Sequence, residues 1–84
     1  MSSLTTKQQL FVITMEECGE LTQACSKVLR HGLEAKQDLL IEEMGDVLCM
    51  IQLMHEHDMV DWTDLEQRVE QKRQKLAQWS DLIK

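Results

Sequence analysis

The chain has 84 residues, of which 43% are hydrophobic and 29% charged, with no proline and a formal net charge of −6. A chain this short forms one domain, residues 1–84, and buries too little surface to be firmly stable alone, so we expect a homodimer or homotetramer. The acidic balance and the lack of a basic run exclude nucleic acid and anionic membranes as partners. No membrane-span pattern and no signal-peptide pattern is present.

The first predicted helix begins with a capping box and ends at a glycine. Thr6 and Gln9 have the spacing at which a hydroxyl and an amide each satisfy a free backbone N–H group. Helical periodicity continues to about Leu29. Gly32, preceded by two basic residues, is expected to end this helix in a left-handed conformation. Residues 33–37 are predicted to form the connection that follows.

Two further helices complete an all-α chain. Asp38 is predicted to cap a second helix that continues to about His57, although the start of this helix could lie a few residues earlier. Residues 58–61 form the second connection. Asp61 then caps a third helix that reaches as far as Ile83. We therefore expect a helical bundle of about three helices per chain, completed by oligomerisation.

The three cysteines lie inside the helical pattern, and their number is odd. This arrangement does not resemble a disulfide framework. Cys18, Cys25 and Cys49 are therefore predicted to be small core residues of a reduced, cytoplasmic protein.

Carboxylates interrupt the apolar faces of the first two predicted helices. One face consists of Leu10, Ile13, Glu17, Leu21, Ala24 and Val28, and the other of Leu39, Glu43, Asp46, Met50, Leu53 and His57. A surface helix normally directs its acids to solvent, because an unpaired buried carboxylate is costly. Two helices that both direct acids inward can offset this cost by sharing cations.

Helix geometry predicts which acids cooperate. Glu17 and Glu20 are about 60° apart around the helix, as are Glu43 and Asp46. Two such helices packed side by side gather four carboxylates, an all-oxygen set suited to Mg²⁺ or Mn²⁺. Glu16 lies about 100° from Glu17 and is expected beside this site, where it could hold a water, or in solvent.

Acidic pairs on helices are usually exposed to solvent and have no further role. The metal site is therefore predicted from several features that occur together. Both pairs lie on apolar faces of consecutive helices, and each contains a glycine, Gly19 or Gly45, that costs about 1 kcal/mol in a helix. Close helix approach or access for a bulky ligand would explain these glycines. A di-iron bundle is disfavoured because neither cluster contains Glu-x-x-His. A non-enzymatic dimerisation or regulatory module with vestigial acids stays open.

The two clusters resemble those of the MazG-type all-α nucleoside triphosphate pyrophosphohydrolases, which are related to the all-α dUTPases and dCTPases. The matching segments are Glu16-Glu17-Cys18-Gly19-Glu20 and Glu43-Met44-Gly45-Asp46. The resemblance implies hydrolysis of a (deoxy)nucleoside triphosphate to the monophosphate and pyrophosphate. It also implies that Glu16 belongs to the catalytic set and that Mg²⁺ is held by Glu17, Glu20, Glu43 and Asp46.

Two lysines are candidates for binding the substrate phosphates, since a triphosphate would be repelled by a bare acidic cleft. Lys72 lies within the apolar face of the third predicted helix, which is unusual for a lysine that meets no anion. Lys27 follows Glu20 by two helical turns, on nearly the same face. Surface lysines are more often solvated, and in an oligomer either lysine could act across the interface.

Overall fold

The computed structural model describes residues 3–83, and these form three helices without a strand, which confirms the predicted all-α class. The helices are α1 (Thr6–His31), α2 (Leu33–Glu56) and α3 (Trp62–Trp79). By packing, the chain divides into two units, Met1–Met54 and His55–Lys84. Within residues 3–83, every helix is too short or too polar to pass through a lipid bilayer.

A capping box starts α1, one residue earlier than predicted. The Thr5 hydroxyl accepts from the backbone N–H of Gln8 at 3.1 Å, and the Thr5 N–H donates to Gln8 Oε1 at 2.9 Å. The Thr6–Gln9 position was wrong because the sequence offers two overlapping Thr-x-x-Gln pairs with the same spacing. Either pair fits the capping rule, so the spacing alone does not select between them.

A single residue, Gly32, connects α1 to α2. Its φ of 90° and ψ of 151° lie in a region open essentially only to glycine, and its N–H donates to the Val28 carbonyl at 2.7 Å. The sequence predicted that α1 ends at this glycine, but the backbone of Gly32 is more extended than the expected left-handed cap. The predicted connection at 33–37 and the cap at Asp38 are wrong, because α2 starts at Leu33. Segment 33–37 contains good helix formers and an acid in the first turn, which explains this early start.

The first unit is an antiparallel helical hairpin. A one-residue connection turns α2 back along α1, so positions at similar distances from Gly32 meet. The buried side chains of the described residues all lie in this unit: Leu10, Ala24, Glu43 and Met50. Ile13, Leu21, Val28, Leu39 and Leu53 are half-buried beside them. The apolar faces predicted from periodicity are therefore the faces that the two helices turn towards each other.

The cysteines are not core residues, which corrects the prediction. Cys18, Cys25 and Cys49 are all exposed and carry free thiols. Each lies about 80–120° around its helix from the buried face. The prediction was wrong because helical periodicity shows that the cysteines lie in helices but does not show which side of each helix its neighbour covers.

The second unit contains the turn and α3. Asp58 adopts a positive φ of 58°, and the Nδ1–H group of His55 donates to the Val60 carbonyl at 3.2 Å. The same ring meets Trp62 edge-on, with the ring centres 5.9 Å apart.

Asp61 caps α3 as predicted, because its Oδ1 accepts from the Thr63 N–H at 2.8 Å. The C-terminal end of α3 differs from the prediction. The helix ends at Trp79, where the Ser80 N–H donates to the Leu76 carbonyl, so the predicted extension to Ile83 is wrong.

Replacing Gly32 by Ala should destabilise the protein by about 1–3 kcal/mol, because a Cβ strains a positive φ. The melting temperature should fall by roughly 5 °C or more in a thermal scan followed by circular dichroism. Gly19→Ala is the matched control, since Gly19 is helical and a Cβ there meets nothing within 4 Å. That variant should gain about 0.5–1 kcal/mol. Equal shifts in both variants would contradict the role assigned to Gly32.

Candidate functional site

α1 carries Glu17 into the contact between the helices. Leu10 and Ala24 lie seven residues before and after it and are both buried, at 6% and 1% exposure. Two turns of helix bring position i+7 back to nearly the same face. The half-buried Glu17 therefore faces α2 because its apolar neighbours hold that face inward.

α2 supplies two acids to the same place. Glu43 is buried, with 8% of its surface exposed, and Met50, two turns later, is buried to a similar degree. Asp46 is one turn after Glu43 on the solvent side and remains exposed. The site thus runs from a buried carboxylate at the helix contact to an exposed one at its edge.

The structure brings Glu17, Glu43 and Asp46 together. One carboxylate oxygen from each lies within 4.8 Å of the others, across the contact between α1 and α2. One carboxylate oxygen of Glu43, Oε2, is buried and has no hydrogen-bond partner. A buried acceptor in this state is costly and is normally paired or bound to a cation.

Each ionised carboxylate of the cluster makes ionisation of its neighbours less favourable. Burial raises the pKa of the Glu43 carboxyl above its ordinary value of 4.5, and the nearby Asp46 charge raises it further. Burial also raises the pKa of Glu17, again with Asp46 as the next cause. Every charge that acts on these two groups is another carboxylate. The cluster therefore favours either protons or a cation.

The donor set fits a hard divalent cation. Carboxylate oxygens are the ligands preferred by Mg²⁺ and Mn²⁺, whereas zinc and copper favour nitrogen and sulfur. Mg²⁺ holds its ligands at about 2.1 Å, so they lie roughly 3–4 Å from one another. Oxygens already within 4.8 Å need only small side-chain movements to reach that arrangement. The unpartnered oxygen of Glu43 would gain the partner that it lacks.

Two other predicted acids lie near the cluster without joining it. Glu20 is exposed, and its charge contributes to the raised pKa of both Glu17 and Glu43. Glu16 is also exposed, and its charge acts on Glu17. Both carboxylates are exposed to solvent on α1.

The two predicted phosphate ligands occupy different units. Lys27 is half-buried on α1, two turns beyond Glu20, and belongs to the hairpin that carries the acids. Lys72 is exposed on α3, in the second unit. The structure therefore places Lys27, and not Lys72, on the same hairpin as the cluster.

The glycines next to the acids are not explained by packing within the chain. A Cβ built on Gly19 or Gly45 would meet nothing within 4 Å. Close helix approach inside the chain, one of the two explanations offered by the sequence, is therefore wrong. Access for a ligand or contact with another chain is the explanation that the structure leaves.

A concavity that sequence reasoning did not indicate lies at the turn between α2 and α3. It has a volume of about 330 Å³ and is lined by His55, Asp58, Met59, Val60 and Asp61. His55 and Asp61 already use their polar groups to hold the turn and cap α3. The sequence indicates the positive φ of Asp58 only weakly, because Asp tolerates this conformation better than most residues do. We therefore interpret this concavity as a consequence of how the turn folds and not as a binding site.

The family model for the MazG nucleotide pyrophosphohydrolase domain matches residues 5–79. This match covers α1, α2, α3 and all the acids described above. Searches of curated proteins and of solved structures gave no significant match.

The raised pKa of Glu43 predicts how the metal-free protein responds to pH. The folded state holds this proton more tightly than the unfolded chain, whose pKa is near 4.5. The resulting stability is therefore fully present below pH 4.5 and is lost as the pH rises through the raised folded pKa. In chelator, the melting temperature should fall as the pH is raised above 4.5 towards neutrality.

Glu43→Gln should reduce this fall, because an amide does not titrate, and should melt higher than wild type at neutral pH without metal. Glu42→Gln, one residue away and exposed, is the control and should keep most of the fall. A wild type and a Glu43→Gln variant with parallel pH profiles would show that Glu43 is not under this strain.

Proposed function

We propose that this chain, which belongs to the MazG nucleotide pyrophosphohydrolase family, hydrolyses a (deoxy)nucleoside triphosphate to the monophosphate and pyrophosphate with the help of Mg²⁺. The observation that supports this most is the buried, unpartnered oxygen of Glu43 beside Glu17 and Asp46. Three acids that meet at one helix contact favour neutralisation by protons or by a cation, and a bound cation is the alternative that we propose. The substrate polyphosphate is the natural companion of that cation.

In this proposal, Glu17, Glu43 and Asp46 hold the cation, and the exposed Glu20 joins them by a rotation of its side chain. When bound, Mg²⁺ neutralises phosphate charge and lowers the pKa of a water molecule. Because Asp46 lies at the solvent edge of the cluster, the phosphates approach from that side. Glu43 stays at the buried end, where its orientation is fixed by packing.

The remaining proposed roles belong to exposed side chains. Glu16 orients the attacking water and accepts its proton, with Glu20 as the alternative acceptor. The water oxygen bonds to phosphorus while the bond to the departing pyrophosphate breaks. Lys27 binds the negative charge that builds up on the pyrophosphate, and Lys72 is a second phosphate ligand in this proposal.

We also propose that the chain acts as one domain and as a homodimer or homotetramer. The matched residues run through both packing units, which supports a single domain. Large apolar side chains exposed on all three helices support assembly. Three free, exposed cysteines suit a reducing compartment such as the cytoplasm.

Pyrophosphate release from a panel of ribo- and deoxyribonucleoside triphosphates, with Mg²⁺ and with chelator, tests the activity directly. We expect monophosphate and pyrophosphate in equal amounts from at least one substrate, and none in chelator. Release of inorganic phosphate instead would contradict the proposed reaction. No turnover of any member of the panel would favour the non-enzymatic module.

Neutral substitutions in the acid cluster should remove activity without unfolding the chain. Glu17→Gln, Glu20→Gln, Glu43→Gln and Asp46→Asn are each expected to lower kcat/KM by about a hundredfold or more, beyond the loss typical of residues that only orient metal ligands. Glu42→Gln is the matched control, and its loss should stay below about tenfold. Two or more cluster variants with near-normal activity at saturating Mg²⁺ would refute the site.

Mg²⁺ should stabilise the folded chain whether or not the substrate is known. An ion that binds only the folded state at a hundred times its Kd adds about 2.7 kcal/mol. For a domain of this size, the melting temperature should rise by about ten degrees or more. Mn²⁺ should act similarly, and Na⁺ at matched ionic strength should do much less.

The double variant Glu17→Gln, Glu43→Gln should melt higher than wild type in chelator and should lose the response to Mg²⁺. The first effect follows from relief of repulsion between the acids, and the second from loss of ligands. Identical Mg²⁺ responses in the double variant and the wild type would remove the basis of the metal site.

A further inference from the structure

Lys36 is a charged side chain on the inward side of the hairpin that the mechanism above does not use. It is the only lysine or arginine of α2, and it is half-buried. It precedes Glu43 by two helical turns and therefore lies on nearly the same face, the one that packs against α1. Burial removes part of the hydration of an ammonium group, so a lysine on this face calls for an explanation.

A second half-buried lysine lies at the same level of the hairpin. Glu17 and Glu43 mark where the acids of the two helices meet. From these residues towards Gly32, Lys27 is ten residues along α1 and Lys36 is seven residues back along α2, about 15 Å and about 10 Å respectively. The two lysines are thus level to within about one helical turn, between the acid cluster and Gly32.

Neither lysine has an acidic neighbour on its own helix. The positions three and four residues before and after each lysine are the ones that face it, and none of them is Asp or Glu. The acids nearest to this end of α2, Glu34 and Asp38, are exposed and lie about 140–180° around the helix from Glu43, on the outside of the hairpin. Snorkelling explains one half-buried lysine stem, but two ammonium groups at one level repel each other. The pair therefore favours an anion.

The hairpin thus carries two unbalanced groups of charges in series. The acids favour a cation, and the lysines, about 10–15 Å nearer to Gly32, favour an anion. A polyphosphate that binds a divalent cation at one end keeps negative charge at the other, and the long flexible stems of the lysines can span the remaining distance. Helical side chains lean towards the N-terminus of their helix, so Lys27 leans towards the acids and Lys36 towards Gly32. The lysines therefore suit successive phosphates, with Lys36 at the outermost one.

We propose that Lys36 and Lys27 together form an anion site that binds the pyrophosphate end of the substrate, so that the nucleoside lies on the far side of the acid cluster from Gly32. This inference rests on the proposed hydrolysis and adds to it a direction for the substrate and a further phosphate ligand, Lys36. When the bond between the α phosphorus and the bridging oxygen breaks, its electron pair stays on the pyrophosphate oxygen. The two ammonium groups stabilise that added charge without giving up a proton.

Lys36→Met separates binding of the pyrophosphate end from folding. An apolar side chain of similar length suits the inward face, so the melting temperature should stay equal or rise. Used as product inhibitors, pyrophosphate and the nucleoside monophosphate report on opposite ends of the site. The inhibition constant of pyrophosphate should rise about tenfold or more in this variant, because a charged phosphate contact is lost. The inhibition constant of the monophosphate should change by less than about twofold.

Arg30→Gln is the matched control, since it removes one positive charge from the same end of the hairpin at a residue that is exposed and turned about 140° from Glu17. Both inhibition constants should keep their wild-type values in that variant. Lys36→Arg, which retains the charge, should recover most of the binding of pyrophosphate. An unchanged pyrophosphate constant in Lys36→Met, or equal rises of both constants, overturns the proposal.

Calorimetric titration with magnesium pyrophosphate distinguishes failure of this inference from failure of the proposed function. Wild type should bind the probe, and Lys36→Met should bind it about tenfold or more weakly. The same difference in a chain that hydrolyses no triphosphate would refute the proposed function and support the anion site. Equal binding by both proteins, or no binding by wild type, overturns the anion site even if triphosphates are hydrolysed.

Discussion

The meeting of carboxylates at the contact between α1 and α2 is the constraint on which the rest of the hairpin depends. Glu43 is buried and leaves an oxygen without a partner, and both Glu17 and Asp46 reinforce the repulsion. Repulsion of this kind would push two isolated helices apart. The apolar contacts on either side, which include Leu10 and Met50, hold the acids together against it. The apolar packing of α1 against α2 thus offsets the repulsion between the carboxylates. This repulsion is relieved only when protons or a cation neutralise the acids.

The two sides of the hairpin differ in chemistry, with acids on one side and exposed apolar residues on the other. A helix turns by about 100° per residue, so acids and exposed apolar residues can alternate along the sequence and still lie on different sides. Glu42 and Met44, for example, flank Glu43 in the chain but leave α2 in opposite directions. The acids and the exposed apolar residues of the hairpin therefore face different directions. Because the acids lie on packed helices, their positions are set more firmly than loops would allow.

The short turn at Gly32 aligns the site. With only one residue between the helices, α2 cannot slide along α1, and Glu17 is held opposite Glu43. The positive φ at this turn is a conformation that other residues adopt only with strain. Gly19 and Gly45 have a different role, since both are helical and neither is crowded by its own chain. Packing within the described residues therefore does not offset their cost in helix stability.

The sequence by itself determined the helical class, the inward faces of α1 and α2 and the two acidic segments from which the clustered carboxylates come. These follow from periodicity and from the cost of burying carboxylates, both of which are local properties of the chain. Only the tertiary structure decided that Glu17, Glu43 and Asp46 gather while Glu20 stays outside, because a shared face does not fix the distances between helices. It also decided that Cys18, Cys25 and Cys49 are exposed and that α2 begins at Leu33. Both results depend on how one glycine turns the chain and on which flank of each helix its neighbour covers, and neither can be read from the spacing of residues along one helix.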